Sequence, residues 1–187
     1  MKKIILFLQL IFSIGMSAQT TVESVQVADM DEGAPICGKS IDLHKRILQA
    51  YNCDSTLIVF ACDTTKKGKN TDTGYLYSLD ANTLEVQWQK SLKLSMSKLY
   101  GVCSKGVLLS STLKSTGKSL LTLSDTKTGR SLWTQYLYPV YFNDSLDIVI
   151  GLEKVGGSKT YAYRLSTGML LWDAEIPMTK NVGWKDA

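Results

Sequence analysis

The chain is short of the residues that most often carry chemistry. Its 187 residues include one histidine, His44, so zinc chemistry built on histidine is poorly supplied. The four cysteines, Cys37, Cys53, Cys62 and Cys103, contain no C-x-x-C pair, which removes the footing for thioredoxin-like and zinc-ribbon readings. Three prolines and 14 glycines keep the composition clear of linkers and low-complexity tracts. Excess charge is small as well. Lys2 and Lys3 account for two of the formal +4, and residues 1–20 hold no acid, so the chain beyond them carries +2. That balance does not argue for nucleic acid or an anionic membrane surface as a partner.

The apolar stretch Ile4–Ile14, interrupted by Gln9 and Ser13, is about half of the roughly 20 residues a membrane-spanning helix needs. It follows the basic pair Lys2-Lys3 and precedes the small residues Met16-Ser17-Ala18, the three-part layout of a secretory signal peptide over residues 1–18. The expectation is an exported chain, periplasmic or extracellular after cleavage, without a membrane span. With no cysteine before Cys37, lipid attachment near the cleavage region has no support. In such a compartment the four cysteines face oxidising conditions. They allow three pairings, and sequence does not choose among them. A Cys53–Cys62 bridge is disfavoured, because an extended Ser55–Ala61 would hold the two roughly 30 Å apart at about 3.3 Å per residue.

What the chain does have is short strands. Apolar or β-branched runs recur at Leu57–Ala61, Tyr75–Leu79, Leu99–Cys103, Val107–Leu109, Leu120–Leu123, Leu132–Leu137, Ile148–Leu152, Tyr161–Leu165 and Leu170–Trp172. Turn clusters of Gly, Asn, Asp, Ser and Lys separate them, including Asn52–Ser55, Lys66–Gly74 and Asp125–Gly129. No sustained three-to-four-residue apolar period appears, so the chain after residue 45 reads as all-β. The densest basic run, Lys66-Lys67-Gly68-Lys69, reads as a solvated hairpin tip.

A six-residue pattern recurs across these strands: Thr83-Leu84-Glu85-Val86-Gln87-Trp88, Thr128-Gly129-Arg130-Ser131-Leu132-Trp133 and Thr167-Gly168-Met169-Leu170-Leu171-Trp172. Its spacing, 45 and then 39 residues, is that of four-stranded propeller blades. A second landmark agrees. Tyr51–Val59 aligns without gaps to Tyr141–Val149, an offset of 90 residues or two blades, and Gly101–Leu109 keeps the same apolar register between them. A glycine after the threonine can take the left-handed conformation that closes a hairpin with a bulge. The tryptophan then falls on the next strand, where its ring can cover the seam between neighbouring sheets.

On these residues the chain resembles the quinoprotein-like (PQQ-repeat, WD40-like) β-propellers. The family includes pyrroloquinoline-quinone dehydrogenases and non-enzymatic relatives such as the propeller lipoprotein of the outer-membrane β-barrel assembly machinery. The resemblance covers residues 45–187, with Leu84 standing where the family has glycine and the third repeat shortened before Ser166. It implies an all-β partial propeller of about three four-stranded antiparallel blades in an open arc, after an N-terminal segment at 19–44, with a fourth blade only begun. None of the family's quinone or calcium ligands can be placed on this sequence. No catalytic, cofactor-binding or metal-binding residue is therefore assigned, and no cofactor is expected.

Two further motifs lead elsewhere. Gly33-Ala34-Pro35-Ile36-Cys37-Gly38-Lys39-Ser40 matches a phosphate-binding loop. Such a loop must open a helix, for which Ile41–Ala50 is the available segment, and here it follows the acids of Asp29-Met30-Asp31-Glu32. A calcium loop starting at Asp29 would need a carboxylate where Ser40 stands. Both are rejected. The expected function is a binding or interaction scaffold for a protein or carbohydrate partner, with self-association through an open blade edge. The alternatives are the N-terminal part of a quinoprotein-type enzyme or of a sensor or ligand-binding ectodomain.

Overall fold

Fourteen strands and no helix make up the described residues, 22–28 and 36–175 of a computed structural model. The signal-peptide segment, the acids at 29–33 and the chain after Glu175 lie outside them. Strands β1 (Val22–Ala28) and β2 (Ile36–Ile41) form an antiparallel hairpin. Twelve further strands follow in three antiparallel meanders of four. Blade 1 is β3 (Arg46–Cys53), β4 (Thr56–Thr64), β5 (Asn70–Asp80) and β6 (Val86–Lys93). Blade 2 is β7 (Ser97–Cys103), β8 (Gly106–Thr112), β9 (Ser119–Ser124) and β10 (Ser131–Tyr136). Blade 3 is β11 (Tyr138–Asn143), β12 (Ile148–Leu152), β13 (Lys159–Arg164) and β14 (Leu170–Glu175). The expected partial propeller of three four-stranded blades is what the described residues form, and the expected start of a fourth blade lies outside them.

Alternation along the strands decides which blade each residue meets. In β4, Ile58 and Phe60 face blade 2 and pack with Leu76, Leu99 and Val107. The intervening Val59 and Ala61 face away, with Tyr77 and Leu79, and are covered by Leu43 and Ile41. In β8, Val107 points to blade 1 and Leu108 to blade 3, where it joins Leu121, Leu123, Leu137, Val149 and Leu165. These are fully or nearly fully buried, and each such side chain contributes about 1.5–3 kcal/mol on transfer from water. The core is thus two interblade layers plus a cap over the first blade.

The repeat is visible in the backbone as well as in the side chains. Each blade carries a bulge between its first two strands, at Ile47/Gln49, Leu99/Gly101 and Pro139/Tyr141. Each carries another between its last two, near Val86/Trp88, Ser131/Trp133 and Leu170/Trp172. An extra residue there increases local twist, which lets flat pairings splay radially.

The rejection of the phosphate loop agrees with the structure, and one expected turn changes. Gly38, Lys39 and Ser40 lie inside β2, not in a loop opening a helix, so the phosphate-loop match is spent on a strand. Ile41–Ala50 forms no helix; β3 begins at Arg46, pairing with Cys62. The Lys66–Gly74 turn is shorter than the sequence implies, because β5 resumes at Asn70. Its basic residues are exposed on a tight turn closed by Gly68 N–H to Thr65 O at 2.8 Å, as a solvated tip should be. In the described residues no helix is long and apolar enough to cross a membrane.

Candidate functional site

The features that distinguish this chain are its seams. A cross-strand row runs from the second strand of each blade to its tryptophan: Ile58–Ser78–Trp88, Leu108–Leu123–Trp133 and Ile150–Ala162–Trp172. At the first seam Trp88 Nε1 donates to the Thr126 carbonyl of blade 2 at 2.8 Å, and Ser78 Oγ donates to the same oxygen at 2.8 Å. At the second, Trp133 Nε1 donates to Leu165 O at 2.8 Å and Gln135 Nε2 to Gly168 O at 2.8 Å. The indole also lies flat against the turn it bonds. A Cβ built on Gly129 would stand 2.8 Å from Trp88 Cδ2, and one on Gly168 would stand 2.7 Å from Trp133 Cγ. Glycine is therefore needed twice over, for φ near +67° and for room.

The turns that receive the indoles are built by aspartate. Asp125 Oδ1 accepts the Lys127 and Thr128 amides at 3.1 and 2.7 Å and the Thr128 hydroxyl at 2.7 Å. That hydroxyl, foremost, holds the Asp125 carboxyl below its ordinary range. Asp80 accepts the Asn82 and Thr83 amides in blade 1 at 2.8 and 2.9 Å, and the Thr83 N–H, foremost, lowers it in the same way. In blade 3 Arg164 occupies this place, and the shortened repeat is closed by Gly168 N–H to Arg164 O at 2.8 Å.

The two ends of the arc differ. On the outer side of blade 1, Leu84 takes φ of +61° where blades 2 and 3 have Gly129 and Gly168 at +67° and +68°. A side chain thus stands where an incoming indole would lie, and Lys39 Nζ donates to the adjacent Asn82 carbonyl at 2.9 Å. On the outer side of blade 3 the third row has no receiving turn among the described residues. Trp172 is 44% exposed, and Met169, Leu170 and Leu171 beside it are 54%, 47% and 40% exposed. The open blade edge expected from sequence is here.

Other polar clusters staple the structure. Lys45 Nζ bonds Asp63 Oδ1 at 2.6 Å and sits 4.6 Å from the centre of the Tyr75 ring, while Tyr75 OH donates to Asp63 Oδ2 at 2.8 Å. The ammonium holds the Asp63 carboxyl down, and the carboxylate holds the ammonium and the phenol up. Between blades 2 and 3, Asp144 accepts Ser104 N–H and Oγ–H at 2.7 and 2.8 Å. Clefts of about 280 Å³ open between Leu94–Lys98 and Tyr138–Pro139, and between the ends of β3 and β7. Among the described residues no three His, Cys, Asp or Glu side chains converge as metal ligands. Sequence reasoning placed the three tryptophans. It missed Ser78, Gln135 and the Asp144–Ser104 tie, whose only signal is their fixed distance from the repeat.

No protein-family model matches the sequence, and no curated protein matches it. Among solved structures the chain is similar to a europium-containing methanol dehydrogenase, at 14% identity over 68% of this chain and 31% of that one, with a TM-score of 0.42. It is also similar to the β-propeller domain of the Trilobed protease from Pyrococcus furiosus, described as having an open velcro topology (6% identity, 72% and 44% covered, TM-score 0.46). A third is BamB from Moraxella catarrhalis (16% identity, 67% and 47% covered, TM-score 0.31). The chain spans less than half the length of each. The fold rests on the blades and seams themselves: the described residues have the architecture of a partial β-propeller of three four-stranded blades.

Proposed function

We propose that this chain is an exported β-propeller scaffold that binds a protein partner at the unfilled third seam. The observation that carries the reading is the Ile150–Ala162–Trp172 row. It repeats the chemistry of two filled seams, whose Trp88 and Trp133 are half-buried, yet leaves Trp172 exposed beside Met169 and Leu170. Contiguous exposed apolar residues of this kind mark interaction sites. The two filled seams define what fits: a hairpin turn with a side-chain-free residue at positive φ and a free carbonyl for the indole N–H. The first-blade turn of a second copy is a poor fit, because Leu84 stands in the glycine position.

Export rests on the N-terminal pattern, and no residue set for catalysis is assigned. A photo-crosslinking amino acid at Leu171 tests the surface in cells. It should capture a discrete partner that the same probe at Lys67, on the exposed β4–β5 turn, does not. Equal labelling from both positions would sink the proposal. N-terminal sequencing of the secreted or periplasmic fraction should begin near Gln19; an intact Met1 in the cytoplasm would sink export.

A further inference from the structure

The gapless alignment of the first strands places Cys53 and Cys103 at the same position of consecutive blades, at the ends of β3 and β7. First strands of neighbouring blades approach each other, and the two residues meet. Cys53 Sγ–H donates to the Cys103 carbonyl at 3.4 Å, and Cys103 Sγ–H donates to Gly106 O at 3.3 Å. Both line one cleft of about 280 Å³ with Tyr51, Asp54, Ser104 and Asp144. Cys62, by contrast, lies opposite Arg46 at the far end of the β3–β4 ladder, while Cys53 lies opposite Thr56.

The same location on the next seam shows what is missing. Between blades 2 and 3 the tie is the Asp144 carboxylate on Ser104 N–H and Oγ–H. One blade earlier the equivalent positions are Ser104 and Asp54, and among the described residues no side-chain hydrogen bond joins them. The Ser104 hydroxyl is already committed to Asp144. Two thiols stand where the carboxylate tie is absent.

We propose that Cys53 and Cys103 are a disulfide site that locks blade 1 to blade 2. The oxidant is an external disulfide, either a small-molecule one or that of an oxidoreductase. Cys53, half-buried and the more accessible, loses its proton and attacks one sulfur, releasing the other as a thiol. Buried Cys103 then loses its proton and attacks Cys53 Sγ, expelling the second thiol. The two thiols lose two electrons and two protons, and the oxidant gains them. Burial, foremost, pushes both thiols up in pKa, with Asp54 and Asp144 adding to the effect at Cys53. Thiols of this kind are slow leaving groups, so the bond once made resists exchange, as a structural link does. Its formation in the cell rests on the export reading; its chemistry does not.

The test is to incubate the folded full-length chain with glutathione disulfide and digest it without reduction. Mass spectrometry should show the Cys53 peptide joined to the Cys103 peptide, in the wild type and in Cys37→Ser/Cys62→Ser alike. The link should raise the melting midpoint by about 5–10 °C, and Cys53→Ser or Cys103→Ser should abolish both effects. Glutathione adducts alone, or a bridge to Cys37 or Cys62 in place of Cys103, would overturn the proposal. A link formed in vitro by a chain that cells retain in the cytoplasm would sink export and leave the site standing.

Discussion

If the indole-on-glycine contact holds the blades together, adding one methyl group at a seam should cost far more than adding it elsewhere. Gly129 and Gly117 make a matched pair, with φ of +67° and +66°. A Cβ at Gly117 meets nothing within 4 Å, whereas one at Gly129 meets Trp88 Cδ2 at 2.8 Å and Cε2 at 3.1 Å. Alanine at either position bears the backbone cost of the left-handed region, about 1 kcal/mol. At Gly129 the indole must also retreat, which adds about 1–3 kcal/mol of overpacking and puts at risk a Trp88–Thr126 hydrogen bond worth about 1 kcal/mol. Gly117→Ala should therefore lose about 1 kcal/mol and Gly129→Ala about 2–5 kcal/mol. Urea unfolding followed by far-ultraviolet circular dichroism, with a reductant present, measures both. Losses within about 0.5 kcal/mol of each other would refute the reasoning, because the backbone share is common to the two variants.

Further predictions follow from the turns and the open ends. Leu84→Gly should gain about 0.5–1 kcal/mol by relieving a leucine at positive φ, and it should open blade 1 to Trp172 of a second molecule. Size-exclusion chromatography should then show concentration-dependent association that Trp172→Ala reverses; an unchanged elution profile would count against the seam logic. Asp63, Asp72, Asp80 and Asp125 are all held below the ordinary carboxyl pKa, by the Lys45 ammonium, the Ser95 amide, the Thr83 amide and the Thr128 hydroxyl respectively. Their stabilisation is complete above about pH 4 and is lost as pH falls through their lowered folded values. The urea midpoint should accordingly drop between about pH 4 and pH 2, and less steeply in Asp125→Asn. A flat profile would show that these turns contribute little.

Much of the blade order was legible because the seams depend on few residues at fixed spacing. Trp88, Trp133 and Trp172, with the glycines before two of them, mark the last strand of each blade, and apolar runs such as Leu57–Ala61 and Ile148–Leu152 fall within β4 and β12. Among the blade strands, β3 and β11 were missed, being largely exposed edge strands without an apolar run to find, and β6 was marked only by Trp88; before the blades, β2 was read only as part of a rejected motif. Leu84 was visible as a departure from glycine. That it adopts the glycine conformation anyway, at φ of +61°, depends on the Asp80 turn beneath it and not on leucine's own preference. The Cys53–Cys103 approach follows from stacking two aligned positions side by side, a consequence of the blade stacking and not of either strand alone.

Amide-proton spectroscopy of a chain labelled with ¹⁵N at its indoles, with exchange into deuterated water, tests the seam architecture most directly. Peaks assigned through Trp→Phe variants should show the Trp88 and Trp133 Nε1–H protected by Thr126 and Leu165, and that of Trp172 exchanging at once. Equal, rapid exchange at all three would mean that the indoles do not bridge the blades, and the two-seam structure would be wrong.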